Sequence, residues 1–253
     1  MSEQEKEGEV VLVGTSHISE KSVEEVERAV EEEDPDIVAV ELGERRFERL
    51  EGDSRLGTEE LAAELPPATA ATYRTLATIQ RSAVRLFGLD PGKTDMETAV
   101  DTAADLDSQV ALIDEPVTRV FAALRARIGV ETIPKVLLRA QFAGSIGRLT
   151  QVRVMTVPVR QVEDGDDVQP IIDYLEQLVP EVTEVLIDRR DRIMAQRLHT
   201  LRREGNDVVA VIGAGHHNGI RQRLDELEAR ASDLDATVPI RSPSKRVTEI
   251  PVE

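Results

Sequence analysis

Four short apolar runs, built from Val, Leu, Ile and Ala, dominate the hydrophobic pattern of this 253-residue chain. They are EVVLVG at residues 9–14, DIVAVE at 36–41, QVALID at 109–114 and DVVAVIG at 207–213. Runs of this length predict buried strands, and the segments between them follow the spacing of amphipathic helices. Strands that alternate with helices predict an α/β fold with a central, largely parallel or mixed sheet flanked by helices.

The stretch from about residue 45 to 205 is predicted to be mostly helical, so we expect a helical insertion in the middle of the sheet. Residues 151–161 alternate well enough to predict an extended segment there, and the Pro-containing tail is expected to add an edge strand. No linker is long enough to divide the chain. We therefore expect a single domain over residues 1–253.

The composition of the chain limits the classes of function that it can have. The net charge of −18 disfavours direct binding to a nucleic acid backbone, and the chain has no Cys for disulfide or thiolate chemistry. Abundant acidic residues, with Arg far outnumbering Lys, are typical of a protein from a halophilic cell. No run is long enough for a membrane helix, and the polar N-terminus is unlike a secretory signal. The expected location is cytoplasmic.

Ligands of an open parallel sheet bind beyond the carboxyl ends of its strands. His17 follows the first run in GTSH, Glu41 closes the second, Asp114 closes the third, and His216 and His217 follow the last in GAGHHNG. Three of the four histidines are thus predicted at one edge of the sheet. The glycine that opens each GxxH motif is expected to turn the chain sharply off its strand, often with positive φ.

Two imidazoles and a carboxylate suit two kinds of chemistry. They are a common ligand set for a catalytic divalent metal, and they also act as acid and base without metal. The residues alone do not distinguish a metal site from acid–base chemistry without metal. Asp114 is interpreted as a ligand, a helix cap or an orienter of a histidine. His199 lies in a predicted helix and is expected at the surface.

Charged residues elsewhere give weaker signals. Arg45 and Arg46 follow Glu41, where one of them would clamp an anion or simply begin a solvated helix. The DRRD run at residues 188–191 is interpreted, from the residues alone, as a series of surface ion pairs.

Several of these segments together resemble the TraB/PrgY pheromone-shutdown family, related to Tiki, GumN and erythromycin-esterase-like proteins. The family pattern has GTxH after the first strand, a P-D-x-V-x-V-E-L run followed by an arginine, and a C-terminal GxGHxxGI. The resemblance assigns His17, Glu41, Arg46 and His216 to these motifs. VLIDRRDRIMAQRL resembles its Glu-Arg-Asp element, with Arg190 as the arginine, and Asp95 lies near the usual Glu of a PGxEM helix.

The resemblance implies a pocket with paired GxxH histidines, a Glu and an Arg, and a divalent-metal hydrolase as the working hypothesis. Two departures from the pattern lie close to that pocket. The Asp-Arg-Asp expected after the third strand is Asp-Glu-Pro here, with Glu115 in place of Arg. The Glu-Arg-Asp element is Arg-Arg-Asp, with Arg189 in place of Glu.

Three functional hypotheses follow. In the first, His17, Glu41 and His216 hold a metal (Mn, Co or Zn) or the attacking water in a hydrolase with peptides as a candidate substrate, while Arg46 and Arg190 stabilise negative charge. In the second, the same pocket binds a peptide or small anion without catalysis, which the changes at 115 and 189 favour. The third is a structural or dimerisation module; the helical surfaces of the insertion would support a homodimer.

Overall fold

The computed structural model describes residues 7–15, 20–51, 94–129, 165–230 and 236–245, with residues 132, 135, 138 and 139. Within these residues, five strands form one mixed sheet: β1 (Val10–Thr15), β2 (Ile37–Val40), β3 (Gln109–Leu112), β4 (Val208–Gly213) and β5 (Ile240–Arg241). Their order across the sheet is β1-β4-β2-β3-β5. The first four strands of that order are parallel to one another, and β5 is antiparallel to β3. The predicted α/β fold with a mostly parallel sheet is confirmed.

Helices connect and flank these strands. They are α1 (Glu20–Glu33), α2 (Glu44–Glu51), α3 (Thr94–Asp105), α4 (Val117–Arg127), α5 (Gly165–Leu178), α6 (Pro180–Thr183), α7 (Arg189–Arg203) and α8 (Ala214–Ala229). A π-helical turn, Glu184–Asp188, joins α6 to α7. A continuous helical segment therefore runs from residue 180 to 203, with one wider turn in it.

The interior strand β4 is buried along its whole length, and its side chains alternate between two cores. Val209 and Val211 pack with α1 and α3 on one face of the sheet. Ala210 and Ile212 pack with α7 and α8 on the other face. A strand that is apolar on both faces is what a sheet covered on both sides requires, and it explains why the DVVAVIG run shows no polar alternation.

Parallel pairing brings the carboxyl ends of four strands to one edge of the sheet. In the register, Thr15 is opposite Gly213 across β1 and β4, and Val40 is opposite both Val211 and Leu112. The residues that follow these strands therefore emerge side by side, as the strand runs predicted.

The segment after β4 differs from the prediction. GAGHHNG was expected to be a turn with positive φ at its first glycine, but Gly213 has φ −63° and ψ 139° and is the N-cap of α8. The motif forms the first turns of that helix, since extended backbone at an N-cap leads directly into helix. The glycine of the first motif, Gly14, likewise does not turn the chain, since it is a residue of β1. The predicted extended segment at 151–161 lies outside the described residues.

The described parts of the middle region are helical around β3, as predicted; residues 52–93 and 140–164 lie outside the described residues. The expected edge strand in the tail is β5. Within the described ranges, no helix is both long and apolar enough to span a membrane.

Candidate active site

The starts of the two GxxH motifs lie next to each other. Thr15 and Gly213 are paired across β1 and β4, and a Cβ placed on Gly14 would lie 3.5 Å from Cδ2 of His217. The second motif therefore packs against the first at the end of β1. His17 itself lies outside the described residues, so its place in the site stays a prediction.

A buried arginine occupies the centre of the described site. The Arg190 side chain is fully buried; its Nε donates to Oδ1 of Asp114 at 3.0 Å, and its Nη2 donates to Oδ2 at 2.8 Å. Nη2 also donates to Oε1 of Glu41 at 2.5 Å. The carboxylates follow β3 and β2, so this one guanidinium, carried by α7, joins helix to sheet through charge-assisted hydrogen bonds.

His216 lies between an anion and this cation. Its Nδ1 is 2.5 Å from Oδ1 of Asp191, and its Nε2 is 3.0 Å from Nη1 of Arg190. A guanidinium only donates, so Nε2 accepts and the ring proton is on Nδ1, where it is donated to Asp191. Nε2 is also 3.7 Å from Oε1 of Glu41. A Cβ on Gly219 would overlap Oδ2 of Asp191, so glycine at this position is what lets the carboxylate approach the ring.

The second carboxylate oxygen of Glu41 is bound by the backbone at the start of α8. The Gly213 N–H donates to Oε2 at 2.7 Å. Since Gly213 caps α8, the negative charge of Glu41 lies at the positive end of that helix dipole. Both oxygens of Glu41 are thus held in fixed positions.

The π turn directly precedes the two charged residues that α7 contributes. Its wider hydrogen bonding is seen in the Arg189 N–H, which bonds to the Glu184 carbonyl five residues earlier. The neighbouring residues Arg190 and Asp191 are both buried, and both contact His216. Single π turns inside α-helices recur at functional sites, where they reposition side chains.

Burial and charge act in opposite directions on the site's acids. Burial raises the pKa of Asp114, but the adjacent Arg190 guanidinium outweighs that effect and holds the pKa below its ordinary value of 3.8. Burial also raises the pKa of Asp191, and there it prevails over the opposing effects of His216 and Arg190. Asp114 is therefore the firmly ionised partner of Arg190, while Asp191 gains a proton more readily than an ordinary Asp.

Two further arginines border the network. Nη1 of Arg46, on α2, is 3.9 Å from Oδ2 of Asp114, so the predicted residue lies beside the acid that holds Arg190. Nη1 of Arg197 donates to the carbonyl oxygens of Leu112 and Asp114 at 3.1 and 2.8 Å. These bonds fix the backbone at the point where β3 ends.

Two of the sequence interpretations are wrong. The DRRD run is not a series of surface ion pairs, because Arg190 and Asp191 are buried and only Asp188 and Arg189 are partly exposed. His199 is 5% exposed rather than a surface residue, since it is on α7, which packs against both the sheet and α8.

The structure also brings together residues that the sequence did not place in the site. Asp191 was not predicted as the partner of His216, although it belongs to the Arg-Arg-Asp element. Asp114 was predicted to be a ligand, a helix cap or a residue that orients a histidine. It is instead the bidentate partner of Arg190. Asp95 is buried at the start of α3, where its Oδ1 accepts the Met96 N–H.

The described residues do not fit a metal ion in their present arrangement. Glu41 and His216 are close enough to share an ion, but Arg190 already donates to both. An ion bound to these atoms at about 2.0–2.2 Å would lie against the guanidinium. Among the side chains that the structure describes, no three His, Asp or Glu residues are grouped as metal ligands. The ligand set that includes His17 stays a prediction.

The fold and the site together define an α/β protein with a buried carboxylate–histidine–arginine network at the carboxyl edge of its sheet. A model of the TraB/PrgY/gumN family matches residues 1–235. An uncharacterized protein of Methanocaldococcus jannaschii is 30% identical over 239 residues, covering 90% of this chain and 56% of that protein. The chain belongs to the TraB/PrgY/gumN family, and it spans a little over half the length of this relative.

The two departures from the family's motif pattern, Glu115 and Arg189, form an ion pair with each other. Arg189 donates from Nε and Nη2 to the two carboxylate oxygens of Glu115, each at 2.9 Å. The family pattern has Arg at position 115 and Glu at position 189, whereas this chain has Glu115 and Arg189. The pair is therefore a charge-reversed ion pair next to Arg190, and it leaves the Asp114–Arg190 contact in place.

We expect Glu115→Arg and Arg189→Glu each to destabilise the protein, because each places two like charges together near a buried position. The double variant restores opposite charges. Urea unfolding of the wild type, the two single variants and the double variant should give a favourable coupling free energy between positions 115 and 189 of roughly 0.5–3 kcal/mol. Additive losses in the double variant would show that the two positions do not compensate for each other.

We expect Asp114→Asn to lower the free energy of unfolding at neutral pH by about 3–5 kcal/mol, since it breaks a buried ion pair. The folded-state pKa of Asp114 is depressed, so its contribution is present above 3.8 and is lost as the pH falls through the folded pKa. The difference between wild type and variant should therefore shrink on acidification. The matched control is Asp105→Asn, which makes the same change at an exposed position. A loss of unfolding free energy in Asp114→Asn that stays constant with pH would contradict the assignment of Asp114 as the ionised partner of Arg190.

Proposed function

We propose that this protein is a hydrolase whose site lies at the carboxyl edge of β1, β4 and β2. The observation that supports this most is the setting of His216, held through Nδ1 by Asp191 with Nε2 turned toward Arg190 and Glu41. A carboxylate that fixes the Nδ1–H tautomer leaves Nε2 as the nitrogen that exchanges a proton. Hydrolysis needs such a group to take a proton from water and return it to the leaving group.

The charged neighbours have distinct roles in this proposal. Asp191 is a positioning residue that orients the imidazole. His216 and Glu41 are the acid–base pair. Arg190, with Arg46 at its side, stabilises negative charge that develops on the substrate. For Nε2 to act on a water, its hydrogen bond from Arg190 must be exchanged for one from that water, while Asp114 keeps the guanidinium in place.

A second form of the proposal has a divalent metal, Mn, Co or Zn, held by His17, Glu41 and His216. The pairing of Thr15 with Gly213 favours it, because the two GxxH motifs then start from neighbouring strand ends. It requires Arg190 to release both Glu41 and His216. When bound, the metal would supply an activated water.

The alternative from another class is a protein that binds a peptide or small anion without catalysis. The departures at Glu115 and Arg189 favour it, and the full burial of Glu41, Arg190 and His216 weighs against their acting as catalytic groups. Catalysis by the same groups requires that a substrate reach them.

The proposal is tested by screening the purified chain against peptide, ester and amide substrates, with and without added Mn, Co or Zn. With an active substrate in hand, we expect Glu41→Gln and His216→Asn each to lower kcat by at least about 10²-fold, the usual contribution of a positioned acid or base. The controls Glu44→Gln and His199→Asn make the same chemical changes outside the network. Wild-type protein that hydrolyses nothing would favour the binding alternative, and site variants as active as the controls would show that hydrolysis takes place elsewhere in the protein.

Metal analysis then separates the two forms. Wild type and the His17→Ala plus His216→Ala variant are purified without a His-tag and incubated with each metal in turn. The acid–base form predicts equally little metal in both preparations. One equivalent of metal that is retained by wild type and absent from the variant would instead establish the metal form.

A further inference from the structure

His217 is the second histidine of the GAGHHNG motif, and its side chain lies against the end of β1. A Cβ placed on Gly14 would be 3.5 Å from Cδ2 of His217 and 3.7 Å from its Cβ. His217 is half-buried, whereas His216 beside it on α8 is fully buried and contacts Arg190. Consecutive helical residues point about 100° apart, so the two imidazoles occupy different sides of the same sheet edge.

A chain of hydrogen bonds from α5 fixes the proton on the His217 ring. Nδ2 of Asn218 donates to Oδ1 of Asp166 at 3.0 Å and to Oε1 of Gln169 at 3.3 Å. Because an ionised carboxylate only accepts, Asn218 must turn its NH2 group toward Asp166 and its oxygen toward His217. That oxygen is 3.3 Å from Nδ1 of His217. The neutral ring therefore carries its proton on Nδ1, and Nε2 is an acceptor.

This second nitrogen of the His217 ring is left for a ligand. None of the residues that the structure describes donates a hydrogen bond to Nε2, and Nε2 is not a buried atom. The corresponding nitrogen of His216 is buried and already accepts from Arg190. An accessible nitrogen that is held in one tautomer is suited to accept a hydrogen bond from an N–H or O–H group.

We infer that Nε2 of His217 accepts a hydrogen bond from an N–H or O–H group of the substrate and holds the substrate at the β1 end of the site. The inference rests on the proposed function, in which Glu41 and His216 perform the acid–base chemistry. Both of those residues are fully buried, so a substrate must first be bound by accessible groups at the same edge. Asn218 is a positioning residue, because it acts through the imidazole of His217.

The availability of Nε2 is tested without any substrate. Diethyl pyrocarbonate acylates an imidazole at an accessible, unprotonated nitrogen, and tandem mass spectrometry distinguishes His217 from His216 within one peptide. We expect His217 to be acylated well before His216 and His199, since both of these are buried. If His217 reacts no faster than the two buried histidines, the inference is overturned, whether or not the protein is a hydrolase.

Kinetics with an active substrate test the contact itself. His217→Leu should raise KM by at least about tenfold and change kcat little, because a hydrogen bond made equally in the ground and transition states is lost. His217→Gln should keep most of the affinity, since Oε1 of glutamine replaces Nε2 as an acceptor. Arg221→Leu, at an exposed position on α8, is the control and should have the wild-type KM.

The possible failures are distinguishable. A wild-type KM in His217→Leu, or a loss confined to kcat, would contradict the substrate contact while hydrolysis by the protein stands. A wild type that hydrolyses nothing would contradict the proposed function and the substrate contact together. Urea unfolding of each variant shows whether a changed KM reflects a lost contact or a damaged fold, and a raised KM in a normally stable His217→Leu supports the inference.

Discussion

A guanidinium without solvent contact must find all of its partners inside the protein, and Arg190 is such a group. A buried charge is tolerated only when it is paired and hydrogen-bonded, and breaking such a pair costs about 3–5 kcal/mol. Asp114 and Glu41 supply the negative charge from the ends of two strands, and His216 supplies an acceptor from the start of α8. One side chain therefore joins α7, the sheet and α8 at this edge.

The same side chain governs the chemistry that we propose. Arg190 donates to the nitrogen of His216 that Asp191 leaves available, and it also donates to Glu41, the other described residue that would hold a metal. Hydrolysis by acid–base catalysis requires exchange of one hydrogen bond, whereas hydrolysis by a metal requires the guanidinium to withdraw from two groups. The difference between the two forms is thus a difference in how far one buried cation must move.

Much of the fold was predictable because burial imposes a pattern on neighbouring residues. The four apolar runs were recognised as strands, and parallel pairing then put Glu41 and the GAGHHNG motif at one edge. The start of α8 was mispredicted, since a glycine after a strand favours a turn as readily as an N-cap. The burial of Arg190 and Asp191 was not evident because a run of charges is ordinarily solvated, and their partners are far away in the sequence. The contact between Glu115 and Arg189 could have been predicted from the sequence only by noticing that both positions depart from the family pattern and that their charges are exchanged.

The proton on the His216 ring tests this account most directly. A guanidinium at Nε2 and a carboxylate at Nδ1 allow the neutral ring only one tautomer. In ¹H–¹⁵N correlation spectra of histidine-labelled protein near neutral pH, with His216→Asn used for assignment, we predict a proton on Nδ1 of His216 and none on Nε2. A proton on Nε2 would mean that Arg190 does not occupy this place, and the account of the site built on it would be wrong.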